Sequence, residues 1–277
     1  MIYLVDNSSD PRIPKSYCKV TTIDEVVKYC EDKPVLGIDT ETEGFDFTCK
    51  KMIMFQIGDE NNQYVIDTRV VDIEPLRHIL EHRDIVKIFH NAKFDYKFIK
   101  RWANIECEGI YDTFLTERVL NCGRDGVKYG LKDVCKKYLK VELNKEVRNQ
   151  FIGLTGQPYK DDQIVYGAKD VEYLINIRKH QLPLIDKYKL NNVVDLENEA
   201  VLAFSDIEYN GLNLDTEQWK ELEDINTNEA DALAINLDQE IIEDTKLEKF
   251  VSKYIQTDMF TAVEDLRKVD IKWTSPK

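Results

Sequence analysis

Two acids two residues apart close an apolar run in Val35-Leu-Gly-Ile-Asp-Thr-Glu-Thr-Glu-Gly-Phe45. On an extended strand, residues i and i+2 point to one side, so Asp39 and Glu41 present two carboxylates to one point at the end of a hydrophobic stretch. Carboxylates held that close repel and drive each other toward protonation unless a cation sits between them, and clustered oxygens are what magnesium and manganese select. An ordinary solvated strand end explains the same pair. Two further segments carry acids at suggestive spacings. His90-Asn-Ala-Lys-Phe-Asp95 follows a second apolar run, Asp84-Ile-Val-Lys-Ile-Phe89. Asn91 stands where an N-cap belongs, which sets Asp95 about one turn into a helix, facing back across the sheet. Complementing the helix dipole, worth about 0.3–1 kcal/mol, is the alternative role for Asp95. For Asp112, in Ile-Tyr-Asp-Thr-Phe, capping of the next helix is the favoured role. Tyr166 and Asp170 lie four apart in a helical pattern, so phenol and carboxylate share a face, an arrangement that core packing also produces.

The elements that must position these groups alternate. Thr22 reads as an N-cap before the short amphipathic helix that ends ahead of Pro34. Lys51-Met-Ile-Met-Phe-Gln-Ile57 and Gln63-Tyr-Val-Ile-Asp67 are β-rich runs joined by Gly-Asp-Glu-Asn-Asn, so with the Asp39 strand they form a meander. Asp72 opens a helix through His82 with Pro75 early in it, and strand–helix units follow. Hairpins first and βα units afterwards predict an α/β domain whose mixed sheet is covered by helices.

The chain has 277 residues and a formal net charge of -14, and its 43% hydrophobic content suits a globular core. The acidity is uneven. Residues 1–190 carry 30 Lys+Arg against 31 Asp+Glu, and residues 191–270 carry 6 against 21. Lysine clusters at Lys93, Lys97, Lys100, Arg101 and at Lys128, Lys132, Lys136, Lys137, Lys140 can still offer phosphates a cationic face, although a solvated helix face explains each alone. Six scattered cysteines without a Cys-x-x-Cys pair, and only four histidines, argue against zinc and a disulfide framework. No signal peptide or membrane span is legible, so a cytoplasmic protein with reduced thiols, in a bacterium or a phage-infected host, is expected.

Asp-x-Glu on a first strand, Asn-x-x-x-Asp after a later strand and Tyr-x-x-x-Asp on a late helix together resemble the Asp-Glu-Asp-Asp superfamily of 3′-5′ exonucleases, in its tyrosine-bearing subtype. The resemblance spans roughly residues 17 to 190. It implies a ribonuclease H-like fold, a mixed five-stranded sheet flanked by helices in domain 1–190. It also implies two divalent ions, Mg²⁺ or Mn²⁺, held by Asp39, Glu41, Asp95 and Asp170, with Tyr166 positioning the attacking water. A phenol, with an ordinary pKa of about 10, is a poor general base at neutral pH, which favours orientation over proton removal. By the same resemblance Thr42, Phe45, His90 and Asn91 contact the substrate, Phe45 as an apolar wedge against the terminal base; a core Phe and a capping Asn are the plain alternatives.

Residues 195–215 resemble the segment that follows the exonuclease in family A DNA polymerases, with a helix ending at Asn210-Gly211, a short strand, and Asp215 capping a new helix. Ile271–Lys277 resembles the connector inside the thumb. A mostly helical partial thumb at 191–277 is therefore expected, although its acidity departs from a duplex-binding surface. The expected substrate is a single-stranded or frayed 3′ end of DNA, and the expected partner is the remaining polymerase domain or subunit. A free-standing RNA-trimming exonuclease of the ribonuclease D kind is the competing expectation, and a catalytically dead interaction module is a third.

Overall fold

The computed structural model describes residues 1–6, 18–143, 147–154, 156–255 and 265–273. The chain divides into two compact units, residues 1–211 and 212–277.

The first unit contains, in order, β1 (Ile2–Val5), β2 (Cys18–Thr21), α1 (Ile23–Glu31), β3 (Val35–Thr42), β4 (Met52–Gly58), β5 (Gln63–Asp67), α2 (Arg77–Leu80), β6 (Val86–Phe89) and α3 (Ala92–Ala103). It continues with β7 (Ile110–Asp112), α4 (Thr113–Leu120), α5 (Leu131–Leu139), α6 (Asp161–Tyr188) and α7 (Asn191–Asn210). One sheet runs in the order β2-β1-β5-β4-β3-β6-β7, with only β4 antiparallel to its neighbours. The five expected strands are β3 to β7. The sheet has seven, because β1 and β2 extend it in parallel beyond β5, with Ile2 opposite Gln63 and Cys18 opposite Ile2. Four residues each carry too little periodicity to be read locally, and the partner that stabilises β1 lies some sixty residues further along the chain.

Strand β4 is buried at every residue, as a run of Met-Ile-Met-Phe-Gln-Ile with helices on both faces requires. Val26 and Cys30 of α1 and Phe98 and Ile99 of α3 close one face over Leu36, Ile38, Phe55 and Ile66. Ile164 and Ala168 of α6 close the other, over Met54 and Val65, and Leu174, Ile175 and Ile185 extend that layer to Ile88 and Tyr111. Thr22 and Asp112 cap α1 and α4 as their sequence positions imply. The segment after Asp72 is a 3₁₀ turn, Glu74–Leu76, running into α2; Pro75 occupies a first-turn position and the helix is shorter than its sequence pattern suggests.

The second unit has α8 (Thr216–Glu243), capped by Asp215, a 3₁₀ turn at Thr245–Phe250, and an antiparallel pair, β8 (Val251–Ile255) and β9 (Asp265–Val269). Gly211, with φ 66°, ends α7, and residues 211–215 form no strand, which corrects that expectation: the stretch has no partner strand among the described residues. Residues 274–277 of the expected connector lie outside the described residues. Among the described residues no helix is long and apolar enough to cross a membrane.

Candidate active site

The site forms where β3 ends and α6 crosses it. At Gly37, on the strand side, a methyl group would come within 2.8 Å of the Val171 carbonyl oxygen; at Gly167, on the helix side, it would meet Gln56 Nε2 at 2.6 Å. Two missing side chains thus let α6 lie directly on β3 and β4. Tyr166 and Asp170, each one residue before a contact point, are thereby carried to the end of β3.

There Asp39, Glu41 and Asp170 bring carboxylate oxygens within 4.8 Å of one another. Glu41 and Asp170 are buried and Asp39 is half-buried. Asp95 arrives from α3, on the other face of the sheet. Its carboxylate accepts a hydrogen bond of 2.6 Å from Thr40 Oγ1, because Thr40, between the two acids of β3, points to the opposite side. Burial, and then the charge of Asp39, raise the Asp95 pKa well above the ordinary carboxylate range.

The turn that delivers Asp95 is held by an acid that sequence reasoning assigned to one helix only. Asp112 Oδ1 accepts from the backbone N–H of Asn91 (2.9 Å), Phe114 (2.8 Å) and Leu115 (3.3 Å), and its Oδ2 from Ala92 N–H (2.8 Å). Asp112 thus starts both α3 and α4. Asn91 sits at the N-cap position of α3 in a left-handed conformation, φ 71°, with no side-chain capping bond, so the expected capping by its amide is replaced by Asp112 from the neighbouring strand.

Asp39, Glu41, Asp95, Tyr166, Asp170, Phe45, His90 and Asn91 line one cavity of about 440 Å³. Thr42 does not line it; its hydroxyl donates to the Gly44 carbonyl (2.6 Å), and it borders a neighbouring cavity of about 280 Å³. Phe45 borders both cavities and is 69% exposed, set edge-on to Phe94, so it is not a core residue. His90 Nδ1 lies 2.9 Å from Thr113 Oγ1, whose single proton goes to the Phe89 carbonyl, so the ring nitrogen donates. Thr40, Phe94, Phe114, Gly130, Leu131, Lys132 and Leu143 complete the wall; of these the sequence marks only Lys132, as one of a lysine cluster, since nothing local shows which loop closes a cavity.

A family profile described as 3′-5′ exonuclease matches residues 17–186. The chain belongs to the 3′-5′ exonuclease family. It is accordingly a nuclease, a hydrolase. DNA polymerase I of Aquifex aeolicus is 34% identical to it over 148 residues, 53% of this chain and 23% of that protein. Ribonuclease D of Jannaschia sp. is 27% identical over 170 residues, 58% of this chain and 43% of that one. The solved structure of Escherichia coli RNase D superposes with a TM-score of 0.59 at 21% identity, covering 66% of this chain and 48% of that one, a likeness of fold. The matched stretch is less than half the length of either curated relative.

The residues at the end of β3 fit divalent cations. Three carboxylates with oxygens this close, one of them on α6, form an all-oxygen donor set of the kind hard cations select, and among the described residues that line the cavity there is no thiol and no imidazole besides His90.

Proposed function

We propose that this exonuclease hydrolyses DNA from the 3′ end and releases nucleoside 5′-monophosphates, as the proofreading module of a family A DNA polymerase whose polymerising part is another domain or subunit. The observation that carries the reading is the convergence of Asp39, Glu41 and Asp170 in a cavity that Tyr166 and the exposed Phe45 also line. Residues 1–190 form the exonuclease domain; residues 191–277 form a partial thumb whose first helix, α7, packs on α3 and α4. Six free thiols suit a cytoplasmic setting.

Asp39, Glu41, Asp95 and Asp170 would hold two divalent ions, Mg²⁺ or Mn²⁺, which when bound offset the charge gathering on the phosphate and on the departing oxygen. The chain's own side chains do the rest. Phe45, between the two cavities, stacks against the terminal base, and His90 and Asn91 fix the terminal nucleotide. The Tyr166 hydroxyl orients a water in line with the scissile bond. The water oxygen bonds to phosphorus, the bond to the upstream 3′ oxygen breaks, and that oxygen leaves with a proton while the phosphate stays on the released 5′ carbon.

An RNA-trimming activity is the second reading, favoured by the ribonuclease D relative, whose match covers slightly more of this chain than the polymerase match. A 5′-labelled single strand, as DNA and as RNA, with and without EDTA, tests both. Stepwise shortening of DNA from a free 3′ hydroxyl, abolished by EDTA and resisted by a 3′-phosphate, supports the first; exclusive cutting of RNA supports the second. Rapid cutting of a circular strand contradicts both.

A further inference from the structure

The two lysine clusters lie on or just before helices whose first turns line the cavity, α3 and α5, and end in different electrostatic states. On α3, Lys93 and Lys97 both pair with Glu208, and Lys100 pairs with Asp206 and Glu106, each at 2.8 Å. Glu208 and Asp206 of α7, with Glu106, thus pair all three lysines of that helix, and Arg101, the fourth cation of the cluster, lies over the Trp102 ring. On the other helix, α5, Lys132 lines the cavity, and Lys136 follows it on the same helix face about 6 Å further out. Lys128 precedes them, exposed. Lys137 turns inward to the buried Glu117, and Lys136 pairs with Glu142 at 2.9 Å, that carboxylate being 73% exposed, with Asp133 of the same helix adding a weaker attraction. Among the described residues no ion pair within 4 Å occupies Lys128 or Lys132, and the exposed Glu142 that pairs with Lys136 also attracts Lys132. The stretch 124–142 holds six cations, Arg124 and five lysines, against Asp125, Asp133 and Glu142. An exposed pair such as Lys136–Glu142 is worth little and exchanges readily for a phosphate.

We propose that α5 is the track along which the strand leaves the cavity, with Lys132, Lys136 and Lys128 each taking a phosphate upstream of the terminal nucleotides, and that α3 is not. The acids at the cavity floor repel a polyanion, so a strand longer than the cavity needs a cationic wall on one side. That wall is α5. The sugar-phosphate backbone is the recognised chemistry, common to DNA and RNA, and the proposal rests on the nucleic-acid reading above.

The test measures binding of fluorescent single-stranded 12-mers, DNA and RNA, between 50 and 200 mM salt in an uncut Asp170→Ala background. Each phosphate contact on a single strand contributes about 0.7 to the slope of log affinity against log salt. Replacing Lys128, Lys132 and Lys136 together by Gln should lower the slope by about 2 and weaken binding at least about tenfold at 50 mM salt. Lys93→Gln with Lys97→Gln should leave the slope at the parent value. Glu142→Gln, which frees Lys136, should tighten binding, a gain that misfolding cannot produce and that stands even if the triple variant fails to fold. Equal slopes for the two lysine sets, or no gain from Glu142→Gln, overturn the track while stepwise cutting by the parent enzyme keeps the functional reading. Absence of both binding and cutting by the parent overturns both.

Discussion

Glu117 and Asp112 are more deeply buried than the acids of the cavity, at 1% exposure each, yet their oxygens are used differently. Glu117 accepts from Asn121 Nδ2 (2.8 Å), Tyr138 OH (2.8 Å), Gln181 Nε2 (3.2 Å) and Lys137. Asp112 accepts from four backbone N–H groups. Asp39, Glu41 and Asp170 bring carboxylate oxygens within 4.8 Å of one another. Burial alone therefore does not mark a functional acid in this fold. Glu117 and Asp112 each stand alone among donors of the fold, whereas three carboxylates gather at the end of β3, where a bound cation would offset their mutual repulsion.

The sharpest way to break this comparison is to remove one acid of each kind. Asp170→Ala should lower the rate of hydrolysis by more than about 10³-fold, because a missing ligand disables the charge stabilisation itself, and the metal-free protein should melt no lower than the parent. A variant that keeps its rate, or that loses stability without metal, would put Asp170 among the structural acids. Tyr166→Phe sharpens the same division, since it retains the ring packing near Phe151 and removes one hydrogen-bonding group. Steady-state assays should show the maximal rate down about 10²- to 10³-fold, with metal-induced stabilisation kept. A rate equal to the parent's would make Tyr166 a packing residue.

On the structural side, Asp112→Ala leaves the N–H groups of two helix starts without their acceptor. Denaturant unfolding should show a loss of about 2–4 kcal/mol with or without metal, and an Asp112 variant as stable as the parent would remove the contrast. A buried cation gives the smallest effect. Lys87 is fully buried and donates to the carbonyls of Ile79 and His82, and burial pushes its pKa down to about 8. Its folded pKa lies below its unfolded value of 10.5, so its contribution to stability is present above pH 10.5 and is lost as pH falls toward 8. Lys87→Met should flatten that slope and leave the protein at neutral pH equal in stability or about 1 kcal/mol more stable. Chemical denaturation at pH 7 and pH 9.5 checks both; an unchanged slope would clear Lys87 of the titration.

What was legible in the sequence follows the range of the interactions involved. Asp39 and Glu41 could be placed together because strand periodicity is local, and Tyr166 with Asp170 because helix periodicity is. Strands β3 to β6 were readable for the same reason, whereas the three-residue β7 was expected only as part of a further strand–helix unit. Strands β1 and β2 were not, since their short runs acquire meaning only against β5. Thr40 escaped notice although its parity on β3 pointed it at α3, where Asp95 waits. Asn91 was read as a cap from its residue type, whereas the bond to its N–H comes from Asp112, twenty-one residues away, and spacing carries no trace of such a contact. The glycines that seat α6, Gly37 and Gly167, are likewise silent in sequence, because what matters is the backbone or amide each one meets.

The central claim is that the acids gathered at the end of β3 hold divalent cations, and thermal melting of the intact chain against Mn²⁺ or Mg²⁺ tests it most directly. Ligand at a hundredfold its dissociation constant stabilises a native state by about 2.7 kcal/mol. The melting temperature of the parent should rise with metal, saturably, while the Asp39→Ala, Glu41→Ala double variant should show no rise and should melt, without metal, at or above the parent's temperature. Equal increments of melting temperature in the parent and the double variant would contradict the account.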